Sequence, residues 1–363
     1  MTSTATARAA TGFAGAAAPA VLDELDLALV DAVLISPRAS WAALAPILDV
    51  DPATLSRRWA RLSAEGAAWV TCHPGGSTPT PAGVALVELD CHAGSVARVA
   101  DTLARDPQAV TVELLTGDRD ILVTAAAPQG TALTEYVLDR IPAVDGVRAV
   151  RTTPVVRVHR DTGHWRPDAL DRSQRAALRA HEPARAAPVS VVGFDRELLA
   201  HLAEDGRMSY AELSVRTGQP QSTVRARVRR LLDSGTAVLR GDAAHSLLGW
   251  PIQAHLWLSV PTDQAADTAR ALASFSRTRM CSSTVGAANL TVTLWLHRVE
   301  EVQRLEAAIV RQFPKATVVD RALALRVVKR VGRILDPAGR AVGHVPPDLW
   351  TDAPTDPRPR VRA

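Results

Sequence analysis

The sequence predicts an α+β chain in which two helix-turn-helix domains alternate with two βαββαβ sandwich domains, the whole internally duplicated. Three observations carry that expectation. Residues 26–66 read again at 195–235 without a gap, at an offset of 195 − 26 = 169, with 11 identities in 41 positions. Apolar residues inside the repeated stretch fall at helical spacing. After each copy, strand-like and helix-like runs follow in the order β-α-β-β-α-β. A period of this length exceeds the roughly 20–50 residues of solenoid repeats, so it marks whole modules.

Residues 1–20 are Ala-rich, carry one charge at Arg8 and lack a Leu/Val/Ile-rich run, which reads as a disordered leader and not an export signal. Residues 21–75 form the first helix-turn-helix domain, winged-helix-like in pattern. Leu25, Leu29 and Val33 make one helical stripe. Ser40 can cap a second, short helix, which Pro46 should bend. Asp51-Pro52 is an N-cap followed by a first-turn proline. The third helix buries Leu55, Trp59 and Leu62 and stops near Gly66. Ala67–Thr71 reads as a wing strand, and His73–Pro81 as a hinge. Residues 83–160 form the first sandwich, ferredoxin-like in element order, with a turn at Gly117–Asp120 between its middle strands. Residues 161–190 read as a linker holding a short helix around Ala169–Ala180. The second helix-turn-helix domain spans 191–241 and the second sandwich 249–331. Residues 335–363 are proline-rich and read as an extended tail, with Trp350 docked on the body.

Composition narrows the function classes. At 363 residues and 47% hydrophobic the chain can bury several cores. The net charge is only +4, and Lys occurs only as Lys315 and Lys329, so the placement of arginine must carry any nucleic-acid argument. Three cysteines give no even disulfide framework, which points to a reducing, cytoplasmic setting. No run approaches the roughly 18 apolar residues of a membrane span, so no membrane partner is expected. Cys72-His73 and Cys91-His92 fit no tetrahedral spacing, so no metal and no cofactor are expected.

The third helix of each copy carries the DNA-binding chemistry. With Leu55, Trp59 and Leu62 inward, a step of about 100° per residue turns Ala53, Arg57 and Ala60 outward, with Ser56 and Arg61 on the flanks. A recognition helix meets base edges with its N-terminal residues, so Ala53, Ser56 and Arg57 are assigned to bases. Thr54 and Arg61 suit phosphates, and Arg58 lies nearer the core edge, where it can brace the helix. In the second copy Ser222, Arg225, Ala226 and Arg229 are the outward candidates, with Thr223, Arg227 and Arg230 matching Thr54, Arg58 and Arg61. Residues 219–235 carry four Arg and one Asp against three Arg, Asp51 and Glu65 in 51–66, so the second helix is the stronger expected reader.

The stretches LDELDLALVDAVLISPRASWAALAPILDVDPATLSRRWARLSAEG and FDRELLAHLAEDGRMSYAELSVRTGQPQSTVRARVRRLLDSG, with LTGDRDILVT and STVGAANLTV, resemble the Lrp/AsnC transcriptional regulators. The resemblance implies a sequence-specific DNA-binding regulator, not an enzyme, with double-stranded DNA as partner and an amino acid-like effector. It places the effector near a Gly-x-x-Asp turn, here Gly117, Asp118 and Asp120 in the first copy and Gly286 and Asn289 in the second. It also implies that the two sandwiches pair within the chain and that chains form a homodimer of pseudo-dimers. Two alternatives stand beside it. One is an architectural DNA-binding protein without sequence preference. The other is an enzyme similar to siroheme decarboxylases, for which His159, His255 and His297 lie in or beside strands, although a lone strand histidine is usually a packing residue. No residue is assigned a catalytic role.

Overall fold

The computed structural model describes residues 22–75, 82–128, 131–161, 165–180, 186–187, 189–191, 193–347 and 349–350. The expected leader, and parts of the linker and tail, lie outside the described residues.

The first unit has helices α1 (Glu24–Ile35), α2 (Trp41–Leu48) and α3 (Pro52–Ala64). Local chemistry sets each boundary. Asp23 accepts from the Asp26 amide, Ser40 from that of Ala43, and Asp51 from that of Thr54, each satisfying a donor that helix geometry leaves orphaned. Asp49 closes α2 in the left-handed region at φ 52°. Pro46 sits inside α2 without ending it. Further along, α7 (Gly193–Glu204), α8 (Tyr210–Thr217) and α9 (Gln221–Asp233) repeat this order, with Gly218 at φ 66° in the place of Asp49.

The expected wings take another form. β1 (Ala68–Pro74) and β6 (Ala237–Ala243) do not form hairpins within their own units. They pair with each other, antiparallel, in a two-stranded ribbon centred on Thr71↔Arg240. Each strand continues directly from a third helix and finds its ladder partner in the other unit, so its backbone groups are satisfied across the interface.

The sandwiches are likewise fused. The first comprises β2 (Ala82–Cys91), α4 (Val96–Leu103), β3 (Ala109–Leu115), β4 (Ile121–Pro128), α5 (Ala132–Glu135) running on into a π turn, and β5 (Val147–Arg160). The second comprises β7 (Ile252–Ser259), α10 (Thr262–Ser274), β8 (Thr278–Thr284), β9 (Leu290–Leu296), α11 (Glu301–Gln312) and β10 (Thr317–Arg330). β5 and β10 are 14 residues long against 7 for β3, β8 and β9, and their excess length crosses over. β5 pairs with β2 through Pro154 and with β8 from Val155. β10 pairs with β7 through Leu323 and with β3 from Ala324. The strand order β3-β4-β2-β5-β8-β9-β7-β10 therefore closes on itself as one barrel-like sheet. Helices cover its outer faces over two separate cores.

The connecting segments are packed, which the sequence pattern understated. α6 (Arg172–Arg179) starts with a capping box between Asp171 and Gln174, and its Leu178 is fully buried in the core of the first unit. The buried Asp31 carboxylate accepts from the amides of Ala169 (2.9 Å) and Leu170 (3.2 Å). After β10 the chain is not extended but forms a hairpin, β11 (Arg333–Leu335) and β12 (Ala341–His344). The Ala341 amide donates to the Gly66 carbonyl at 2.8 Å, tying this hairpin to the end of α3. Trp350 packs on the core of the second three-helix unit.

Candidate nucleic-acid interface and interior cavity

The two three-helix units are clamped by a reciprocal exchange. Arg38 donates to the carbonyls of Gly206 (2.9 Å) and Met208 (3.0 Å), and Arg207 to those of Pro37 (2.6 Å) and Ala39 (2.9 Å). The Arg207 guanidinium lies 3.9 Å from the Trp41 ring centroid, and that of Arg38 lies 4.6 Å from that of Tyr210. Burial, aided by neighbouring Arg38, lowers the pKa of Arg207 to about 10, which leaves it charged at neutral pH. Charge-assisted bonds of this kind contribute about 1.5–3 kcal/mol each.

Behind α3 and α9 lie two acidic braces. Asp26, whose side chain is 5% exposed, accepts from Arg58 at 2.9 Å and Arg61 at 2.6 Å; Arg58 also reaches Asp23 at 2.5 Å. In the second unit Asp195 is fully buried and takes both Nε and Nη2 of Arg227 at 2.5 Å. The hydrogen bond with Asp23, then that with Asp26, raises the Arg58 pKa; the bond with Asp195 raises that of Arg227. The sequence counts Arg58, Arg61 and Arg227 among the DNA-binding candidates, with Arg58 and its match Arg227 near the core edge, where they can brace the helix. In the fold their guanidiniums are committed to carboxylates, which makes them braces of the recognition helices. The identity of Asp26 with Asp195 across the repeat is the signal for these braces, as is that of Arg38 with Arg207 for the clamp.

What remains on the outer faces is unequal. On α3, Ala53 and Arg57 are exposed, Thr54 and Ser56 are half-buried, and Arg57 donates to the Thr54 hydroxyl at 3.1 Å. On α9, Ser222, Thr223, Arg225, Arg229 and Arg230 are all exposed. Arg225 lies 5.4 Å from the Tyr210 ring centroid, and Arg229 only 3.9 Å from Asp233.

The Gly-x-x-Asp turns are structural joints. The Asp120 carboxylate accepts from the Cys91 amide at 2.7 Å. Asn289 both accepts from the Val260 amide (2.9 Å) and donates to its carbonyl (2.7 Å). Beside these turns the Thr116 amide donates to Leu323 and the Val285 amide to Pro154, so each turn docks on the long strand of the other unit. Gly117 takes φ +95°, a backbone that favours glycine. Gly117, Asp118 and Gly286 are exposed. The polar atoms of Asp120 and Asn289 expected to meet an effector thus hold the fold, and the cleft beside the first turn is lined by Thr116, Val299 and Arg321 and not by these five residues.

A concave site exists elsewhere. A cavity of about 820 Å³ opens between the barrel sheets, walled by Leu86, Leu122, Trp257 and Met280 among apolar groups and by Glu113, His255 and Arg279 among polar ones. Its size lies within the range of small-molecule sites. Glu113 is buried, accepts a short hydrogen bond from Gln253 and lies 3.3 Å from His255 Nε2. Burial raises its pKa, but His255, the Arg279 charge and the Gln253 bond outweigh that and lower it to about 2. Arg279 is 3% exposed, and its Nε and Nη2 have no hydrogen-bond partner among the described residues. The ribbon supplies the wall on the side of the three-helix units, through His73, Pro74 and Gly75 of β1 and its continuation and Arg240 of β6, which pairs with Asp161 at 2.5 Å. Burial, then Arg240, lowers the pKa of His73 to about 3, so it is neutral.

The remaining candidates are packing groups. His159 bonds Ser283 at 2.7 Å, and His297 bonds the Gly249 carbonyl at 2.6 Å while stacking on Trp250. Burial raises the pKa of Cys72 to about 12, of Cys91 to about 11 and of Cys281 to about 12, which makes unreactive thiols. Among the described residues no cluster of His, Cys, Asp and Glu is arranged to hold a metal, and no helix is long and apolar enough to cross a membrane.

Comparison with known proteins agrees with this geometry. Residues 193–232 match the AsnC-type helix-turn-helix domain, and residues 84–165 match the Lrp/AsnC ligand binding domain. The chain is 35% identical over 125 residues to an uncharacterised HTH-type transcriptional regulator of Pyrococcus horikoshii, covering 34% of this chain and 76% of that protein. The HTH-type transcriptional regulator FL11 of Pyrococcus furiosus is 24% identical over 145 residues, 39% of this chain and 94% of its own. Among solved structures, the siroheme decarboxylase NirDL, in complex with an iron-uroporphyrin III analogue, aligns over 84% of this chain and 92% of its own. Its TM-score is 0.56 at 13% identity, a likeness of fold alone.

Proposed function

The chain belongs to the Lrp/AsnC family of DNA-binding transcriptional regulators, and on that premise we propose that it acts as a covalent pseudo-dimer arising from internal duplication, reading two unlike half-sites. One observation carries this reading: two clamped three-helix units present α3 and α9 with different exposed chemistry on matching scaffolds. Arg225, Arg229 and Arg230 give α9 the stronger phosphate and base contacts, supported by Ser222 and Thr223; Ala53, Thr54, Ser56 and Arg57 serve on α3. Chains pair again as a homodimer in the cytoplasm, which brings four recognition helices to DNA.

The effector site in this reading is the barrel cavity. α3 runs directly into β1 and α9 into β6, and these strands form one wall of that cavity. A ligand that shifts the ribbon therefore shifts both recognition helices relative to major grooves about 34 Å apart. Selection of binding sites from random DNA with the full chain tests the proposal: unlike half-sites per chain are expected, and identical ones refute the asymmetry. Arg225→Ala with Arg229→Ala should weaken operator binding more than Arg57→Ala, and should reduce the salt slope by about one for each phosphate no longer neutralised. A weak sequence preference at fixed salt would identify an architectural protein instead.

A second reading has one observation behind it, His255 in a cavity on a fold shared with NirDL. Tight, saturable absorbance changes with an iron tetrapyrrole, accompanied by turnover, would favour that enzyme reading.

A further inference from the structure

Building on the regulator reading, we infer that each chain binds one ligand and not two, an organic anion carrying a carboxylate on an apolar body larger than an amino acid, with Arg279 as its anchor. Positions related by the offset of 169 have unlike residues around the cavity. Leu86, Val110, Ala126 and Asp161 stand on its walls; their counterparts are His255, Arg279, Trp295 and Arg330. Both members of the pairs Leu86/His255, Val110/Arg279, Leu122/Thr291 and Thr124/Thr293 line the same space, so the two halves share one cavity per chain, and one side of it has been filled. Trp295 is 1% exposed, stacks on His245 at 5.2 Å and meets Trp165 edge-on at 4.4 Å. Arg330 is fully buried beneath it and bonds His245 at 2.9 Å. Ala126 leaves open on one side what Trp295 closes on the other.

Charge then selects the ligand. Glu113 is matched by Gln253 and His255, and Asp161 by Arg240. Among the described residues Arg279 has no carboxylate within ion-pair distance, and two of its nitrogens face no acceptor. A buried guanidinium in that state is destabilising until an acceptor arrives, and a carboxylate fits its planar fork in a bidentate manner. The Glu113 charge nearby opposes a dianion such as phosphate, so a monoanion is preferred. The walls of Leu86, Leu122, Trp257 and Met280 are apolar, and the volume of about 820 Å³ exceeds what a free amino acid fills.

Calorimetric titration of the full chain with decanoate and indole-3-acetate, their methyl esters and inorganic phosphate tests this. The expected result is binding of at least one carboxylate at one per chain, with neither ester nor phosphate competing. Arg279→Gln should weaken it by about tenfold or more, since the charge-assisted bidentate pair can no longer form. Ala126→Trp should abolish it by filling the open side of the cavity with the residue that fills the equivalent position in the second half. Thermal unfolding and DNA binding of each variant, measured without ligand, identify misfolded proteins, and Ala126→Val replaces Ala126→Trp where the latter does not fold. Two ligands per chain, equal binding of the esters, preference for phosphate, or no binding up to about 10 mM each overturn the inference. If the wild-type chain binds DNA yet no carboxylate, this inference alone fails; if it does not bind DNA, the regulator reading fails independently.

Discussion

Replacing Arg227 with alanine separates a brace from a DNA contact. Arg227 holds Asp195 through two bonds at 2.5 Å, with the arginine side chain 20% exposed and the aspartate fully buried. At an effective dielectric near 20, a unit charge pair at about 3 Å attracts by roughly 5 kcal/mol before desolvation is subtracted. Removing Arg227 takes away the guanidinium that neutralises a buried carboxylate, so the cost falls in the range for breaking a buried pair, about 3–4 kcal/mol. Asp195→Ala should cost less, about 1–2 kcal/mol, because the freed guanidinium can turn to water. The double variant should be less unstable than the sum of the two, with a coupling of about 1.5 kcal/mol or more. Urea unfolding followed by tryptophan fluorescence reads the stability, and fluorescence anisotropy with labelled operator DNA reads binding by the folded fraction. Arg227 is not a brace if its replacement lowers stability by less than about 1 kcal/mol while weakening DNA binding more than tenfold. That outcome would return Arg227 to the groove.

Three further outcomes follow from the same structure. Arg38→Ala with Arg207→Ala removes four bonds between the three-helix units and should increase hydrogen exchange along Trp69–His73 of β1, while the barrel strands stay protected; unchanged exchange there would show that the ribbon alone holds the units. At Gly66, φ is +64° and a Cβ would lie 2.1 Å from the Ala341 carbonyl oxygen, so Gly66→Ala should cost at least about 2 kcal/mol and free the β11–β12 hairpin to proteolysis near Arg340. His73 has a folded pKa of about 3 against an ordinary 6.5, so the unfolded chain binds the extra proton between those values. Its stabilising contribution is complete above pH 6.5 and is lost as pH falls toward 3, with a slope of about 1.4 kcal/mol per pH unit at most. His73→Asn should flatten that part of the stability profile; an unchanged slope would show that His73 is already accessible to protons.

Element order was legible because helix and strand periods differ and because the repeat supplied two readings of each element. The caps at Ser40 and Asp51 were legible too, being local chemistry. Partnership between distant segments was not. Nothing in the alternation of β5 or β10 distinguishes residues that pair at home from those that cross to the other unit. β1 reads as a wing for the same reason, since its partner lies far along the chain. At the candidate site, helical phase identifies the outward positions on α3 and α9 but cannot show which arginines a buried aspartate retains. The cavity is hidden from the sequence because its polar groups come from separate strands: Glu113 from β3, His255 from β7 and Arg279 from β8. Of these three, only His255 stands out in the sequence, and then for a different chemistry.

The differences between the two halves fall where an outside molecule would meet the chain. Positions that hold the scaffold agree across the offset: Asp26 with Asp195, Arg58 with Arg227, Arg38 with Arg207, and the aromatic pair Trp41 and Tyr210 beneath the clamp arginines. Positions on the groove side disagree, as Ser56 with Arg225, Arg57 with Ala226 and Ala60 with Arg229. The cavity positions disagree in the same way, with Ala126 against Trp295 and Val110 against Arg279. A homodimer cannot separate these choices, because every substitution appears twice and a tryptophan that fills one side of a shared cavity fills the other. On the proposed fusion the constraint is lifted. The second half can close its side of the shared space around Trp295 and gain a packed core, while Ala126 of the first half leaves the other side open. The same freedom lets α9 carry the exposed arginines while α3 carries smaller polar groups. On this proposal, unequal DNA contacts and a single ligand site are two consequences of one covalent link.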